Sequence, residues 1–82
     1  MTTIPAARSE DRLAPVTGLR AHSAALRAHA DRLRASAEAL TWQGPEADAF
    51  RRRVETLAAR CTTAADGLTL SATQLEAYER PR

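Results

Sequence analysis

Leucine returns every seven residues through the first half of the chain, at Leu19, Leu26, Leu33 and Leu40. Three residues before each stands a smaller one: Val16, Ser23, Ala30 and Ala37. Spacing that alternates three and four is the period of a helix with one apolar seam, with leucine at every second seam position. Pro15 suits the first position of such a helix, where its missing N–H costs nothing. The spacing therefore predicts helix one over about residues 15–41. Residues 1–14 carry no periodicity and hold Pro5, so they read as a flexible N-terminal arm.

The pattern stops at Thr41-Trp42-Gln43-Gly44-Pro45. Gly44 can take backbone angles that other residues avoid. Pro45 can open a new helix, and Glu46 and Asp48 suit its positive N-terminal end. A second heptad follows: Ala47, Phe50, Val54, Leu57, Cys61, Ala64, Leu68, Ser71, Leu75 and Tyr78. It predicts helix two over about residues 45–79, closed by Pro81. Gly67 weakens this helix by ~1 kcal/mol relative to alanine. Ser71 with Gln74 resembles a capping box, but the heptad keeps its register across Gly67, which favours one continuous helix.

Two helices joined by so short a turn must lie antiparallel. Folding them about Gln43 pairs residues whose numbers sum to 87. Leu40 then meets Ala47, Ala37 meets Phe50, Leu33 meets Val54, and Ala30 meets Leu57. Leu26 meets Cys61, Ser23 meets Ala64, and Leu19 meets Leu68. Most layers join a large side chain to a small one, which fills a seam without overpacking. The expected core, of the hairpin or of its dimer, is thus Leu19, Leu26, Leu33, Leu40, Phe50, Val54, Leu57, Leu68 and Leu75. A second stripe, Ala21, Ala28, Ala35 and Trp42, runs along helix one away from the leucines, and Ala58, Ala65 and Ala72 flank the seam on helix two. A lone hairpin of 82 residues buries little. The expected fold class is all-α: an antiparallel two-helix hairpin over residues 15–80, pairing as a dimer into a four-helix bundle.

Composition agrees. Alanine occurs 19 times and leucine nine, against one isoleucine, two valines and three aromatic residues. That balance favours helix and leaves a sheet sandwich hard to fill. Cys61 is the only cysteine, so no intrachain disulfide framework forms. No apolar run reaches the ~18 residues of a membrane span, and the first fifteen residues lack the basic and apolar blocks of a cleavable signal peptide.

The run Trp42-Gln43-Gly44-Pro45-Glu46-Ala47-Asp48-Ala49-Phe50, between two amphipathic helices, resembles the WXG family, the small ESAT-like proteins of bacterial type VII secretion. The resemblance covers about residues 16–79. It implies a helical hairpin that pairs with itself or with a second WXG-like protein and leaves the cell without a cleaved signal peptide. It also implies a type VII effector or the secretion ATPase as further partners, and residence in the cytoplasm before export. Trp42 would cap one end of the bundle, and Gly44 would allow the tight turn. Many members or their partners carry Tyr-x-x-x-Asp/Glu after helix two. Here Tyr78 is followed at the fourth position by Arg82, so Tyr78 reads as a degenerate export signal, and as a seam residue by its spacing.

Other chemistry is thinner. Arg20, Arg27 and Arg34 line one edge of helix one, and Arg51-Arg52-Arg53 opens helix two. Acids accompany them in both helices, and no aromatic residue interleaves the stripe to stack on bases. Arginines beside a heptad pair with acids across the interhelical edge. No nucleic-acid partner is expected. His22 and His29 stand about 10.5 Å apart along the helix axis, too far for one metal ion. Cys61 falls on an inward position as a small apolar side chain. No enzyme activity, metal or cofactor is expected. The functional expectation is a binding protein, a type VII substrate or co-secreted partner. The alternative is a cytoplasmic helical dimerisation module with no export role.

Overall fold

The computed structural model describes residues 5–41 and 43–80. It is an all-α antiparallel hairpin. Helix α1 runs Pro5–Glu38 and helix α2 runs Pro45–Glu79. The molecule measures 67 × 23 × 13 Å, two helices wide and one helix thick. A single layer of this kind has two broad faces, and how each is finished decides what the chain can do.

Helix α1 begins ten residues earlier than the proline spacing predicts, and Pro15 lies inside it. Residues 5–14, expected as an arm, are helical. Pro15 is exposed, so its ring faces away from the partner helix. Leu13 and Ala14, close to that point, are good helix formers and carry the helix through it. At the other end α1 stops at Glu38 rather than Thr41, with Leu40 N–H donating to the Ala37 carbonyl at 3.3 Å in a tightened last turn.

Helix α2 opens at Pro45, with Gly44 as its N-cap at φ 112°, ψ 176°. These angles are essentially closed to residues with a side chain. The Asp48 N–H donates to the Gly44 carbonyl at 2.9 Å, the first bond of the helix. Glu46 and Asp48 occupy its first turn, where negative charge is favoured. The helix passes through Gly67 and Ser71 without a break.

The buried seam consists of small residues. On α1 it is Val16, Ser23, Ala30 and Ala37; on α2 it is Ala47, Ala58, Ala65 and Ala72. Among the described residues no large side chain is fully buried. The register is fixed at Ser23, whose hydroxyl donates to the Ala65 carbonyl at 2.9 Å and lies 2.7 Å from the Thr69 hydroxyl. Ser23 therefore meets Ala65, and not Ala64 as the layer pairing predicts. By the same heptad step Ala30 falls beside Ala58, and Val16 beside Ala72.

For the hairpin alone, this corrects the expected core. Leu19, Leu26, Leu33, Leu40, Val54, Leu68 and Leu75 are half-buried on the flank of the seam, and Phe50 and Leu57 are exposed. Ala58, Ala65 and Ala72, expected to flank the seam, are the seam. The reason is steric. Small residues on both helices let the axes approach closely along their length, which a Phe50 or Leu57 pointing between them would prevent.

Candidate interaction face

Helical geometry sorts the remaining side chains onto two faces. On α1, Leu19 and Leu26 flank Ser23 on one side, and Arg20 and Arg27 flank it on the other. On α2, Cys61 and Leu68 flank Ala65 on one side, and Thr62 and Thr69 on the other. The Ser23–Thr69 contact joins the second sides of both helices, so the leucine sides also share a face.

The arginine face is closed by ion pairs between the helices. Arg20 Nη2 lies 2.8 Å from Glu76 Oε1, and Arg27 Nη2 lies 2.8 Å from Asp66 Oδ1. Arg34 donates twice to Glu55, from Nε to Oε1 and from Nη2 to Oε2, each at 3.0 Å. The two-pronged bond with Arg34 holds the Glu55 carboxyl below the usual carboxylate range, and the same bond raises the Arg34 guanidinium. Such exposed pairs add little stability but select register and partner helix. The arginine stripe thus meets acids across the hairpin edge, as its spacing predicts. Ala21, Ala28 and Ala35 lie exposed on the outer side of α1, away from the leucines.

The opposite face is apolar, and among the described residues its side chains are half-buried or exposed. It carries Leu19, Leu26, Leu33 and Leu40 from α1, and Val54, Cys61, Leu68 and Leu75 from α2, all half-buried. Phe50 is 42% exposed and Leu57 48% exposed beside them. An open groove at the turn-proximal end of α2 is lined by Ala49, Phe50, Arg53, Val54, Leu57 and Arg60. Large contiguous apolar patches are rare on small monomeric proteins. Of the heptad positions expected to make the core, the structure brings the leucines, Phe50, Val54 and Leu57 together on this face. Sequence spacing missed the alanine seam and the Thr69 hydroxyl. The signal for them is the width of the apolar stripe on α2, which takes in Ala58, Ala65 and Ala72 beside the heptad and is too broad for one helix neighbour.

At the turn, Arg51 donates to the Leu40 carbonyl at 3.3 Å and lies 3.5 Å from Asp48. The first contact ties the turn at Leu40 to the start of α2. Trp42 lies outside the described residues. Tyr78 is 84% exposed and takes no part in the seam, which corrects its expected seam position.

Among the described residues no group of three or more His, Cys, Asp or Glu side chains is placed to hold a metal ion. His22 and His29 are both exposed, and Cys61 is a half-buried free thiol. Among the described residues no helix is long and apolar enough to cross a membrane. Comparison of the chain with protein-family models, with curated proteins and with solved structures gives no match.

Proposed function

We propose that this chain is a WXG-like hairpin that works by binding: its apolar face docks on a second helical hairpin to complete a four-helix bundle, which serves a type VII secretion system as substrate or co-secreted partner. The leucine face carries this reading. A hairpin whose own seam is alanine, serine and one valine keeps its large apolar side chains for a neighbour, and burying them is the favourable term in association. The Trp42-Gln43-Gly44 motif at the turn supports the secretion assignment, with Gly44 in the glycine-only conformation such a turn needs. No enzyme activity, metal or cofactor enters this reading, and neither does a nucleic-acid partner.

The experiment is mass spectrometry of culture supernatant and of affinity-purified complexes from the native host, for the wild type and Trp42→Phe. Export of the wild type with a helical partner is expected. Reduced export of a Trp42→Phe chain that still folds by circular dichroism would assign the motif to recognition.

The second reading is a cytoplasmic dimerisation module. It is favoured by one observation: Arg82 stands where the family's export signal carries an acid after Tyr78. A wild-type chain that pairs inside the cell and never reaches the supernatant would establish it.

A further inference from the structure

Thr56 sits at the centre of a cationic cluster on the outer edge of α2. Arg53 and Arg52 precede it by three and four residues, and Arg60 follows it by four. On a helix these are the positions whose side chains adjoin, with Cβ atoms about 5–6 Å apart. All four side chains are exposed and line one open groove, with Phe50 and Leu57 as its apolar wall. Among the described residues none of the three guanidiniums has an ion-pair or hydrogen-bond partner, and neither has the Thr56 hydroxyl. The arginines and threonines elsewhere differ. Arg20, Arg27 and Arg34 each meet an acid of α2, and the Thr62 hydroxyl donates to the Ala58 carbonyl at 3.1 Å. Glu55, next to Thr56 in the chain, is turned to Arg34 and held there by two bonds. Asp48 is engaged by Arg51. Positive charge therefore gathers around one hydroxyl with no carboxylate bonded to it.

The make-up of the cluster selects its ligand. A carboxylate has one charge and two oxygens, which a single guanidinium satisfies with two parallel bonds, as Arg34 does for Glu55. A phosphodiester likewise carries one charge. A phosphate monoester carries about −1.5 to −2 at neutral pH and offers three strong acceptor oxygens. Three guanidiniums and one hydroxyl match that set. We propose that Arg52, Arg53, Thr56 and Arg60 bind a phosphate monoester. The guanidiniums and the Thr56 hydroxyl donate to its oxygens, and its ester substituent lies against Phe50 and Leu57. That wall favours an apolar substituent, as in a soluble aryl or alkyl phosphate or in a lipid with a monoester head group. The site needs no second hairpin, so it stands apart from the reading of the leucine face.

The full chain, labelled at its arginine side chains, is titrated by NMR with phenyl phosphate and with benzoate at equal ionic strength. Phenyl phosphate should move the Nε–Hε signals of Arg52, Arg53 and Arg60 along one saturating curve and leave those of Arg20, Arg27 and Arg34 in place. Benzoate should bind at least about tenfold more weakly, and phenyl phosphate should lose at least about tenfold on Arg53→Gln combined with Arg60→Gln. Circular dichroism checks the fold of that variant. Sedimentation with phosphatidylcholine vesicles, with and without phosphatidic acid, separates the two sources. Retention on phosphatidic acid that needs both arginines and is tighter than phenyl phosphate binding assigns the lipid. Binding of phenyl phosphate without such retention assigns a soluble ester. Equal movement of all arginine signals, benzoate bound as tightly, undiminished binding by the double variant, or no binding of either ester overturns the proposal and leaves the docking face untouched.

Discussion

Ser23 and Ala65 lock the two helices at one point: the Ser23 hydroxyl donates to the Ala65 carbonyl at 2.9 Å, where Ser23 is 3% exposed. One hydroxyl has one hydrogen to give, so the Thr69 hydroxyl, 2.7 Å away, donates to Ser23. This is a polar contact in an otherwise alanine seam, and it sets both the register and the spacing of the helices.

Size should matter more than polarity at that seam. Ser23→Ala is expected to cost about 1 kcal/mol, because Thr69 can turn to another acceptor. Ala65→Leu should cost about 1–3 kcal/mol or more, because nothing there can make room. Ala64→Leu, one residue earlier and exposed, should change stability by under ~0.5 kcal/mol. Urea denaturation of the three variants checks this, and equal effects at 64 and 65 would place the seam elsewhere.

The contrast between residues 64 and 65 separates what spacing determines from what packing determines. The helices, the antiparallel turn at Gly44, the continuity of α2 across Gly67 and the pairing of Arg20, Arg27 and Arg34 with acids all followed from spacing. The line 47, 54, 61, 68, 75 was legible too. Its companion was not, because two lines fit a three-four alternation equally well: 50, 57, 64, 71, 78 and 51, 58, 65, 72, 79. Side-chain size selects the first, which holds Phe50, Leu57 and Tyr78. Close approach of two long helices selects the second, which holds Ala58, Ala65 and Ala72. The hairpin takes the small residues inward, and the large ones remain for another molecule. The start of α1 failed for a different reason: Pro15 reads as a boundary, yet an exposed proline is tolerated within a helix that the flanking residues favour.

Gly44 should be the glycine that resists change. An added Cβ there meets nothing within 4 Å, so the obstacle is φ 112° alone. Gly44→Ala is expected to cost about 1–3 kcal/mol. Gly67 lies within α2 and also has open space around it, so Gly67→Ala should stabilise by about 0.4–1 kcal/mol. Thermal melts of the two variants should shift in opposite directions.

The Arg34–Glu55 pair predicts a pH dependence with a definite sign. The Glu55 carboxyl is held lower in the folded chain than in the unfolded one, chiefly by its hydrogen bonds to Arg34. The stabilisation it supplies is therefore present above the unfolded carboxylate pKa and is lost as pH falls through the folded value. Arg34 is raised and stays charged throughout the usable range. Stability measured from neutral to acid pH should fall less steeply for Glu55→Gln than for wild type, and the difference should narrow in high salt. Identical slopes would mean that the pair does not form in solution.

Leu57 should separate folding from association. It is 48% exposed in the hairpin, so Leu57→Gln should change the stability of the lone chain by under ~0.5 kcal/mol. In a bundle the same side chain is buried, and its removal should weaken binding by about 1.5–3 kcal/mol. Titration of the variant against a purified partner, beside its urea melt, measures both. A loss of folding stability as large as the loss of binding would mean that Leu57 belongs to the hairpin's own core.

The central claim is that the leucine face, and not the alanine-lined outer side of α1, is covered by another helical hairpin. Site-specific photo-crosslinking in native cells tests it directly, with a photoreactive residue placed at Leu57 in one strain and at the exposed Ala28 in another. A strong adduct from position 57 to a helical-hairpin protein is expected, and none from position 28. Adducts from position 28 alone, or no adduct from position 57, would contradict it.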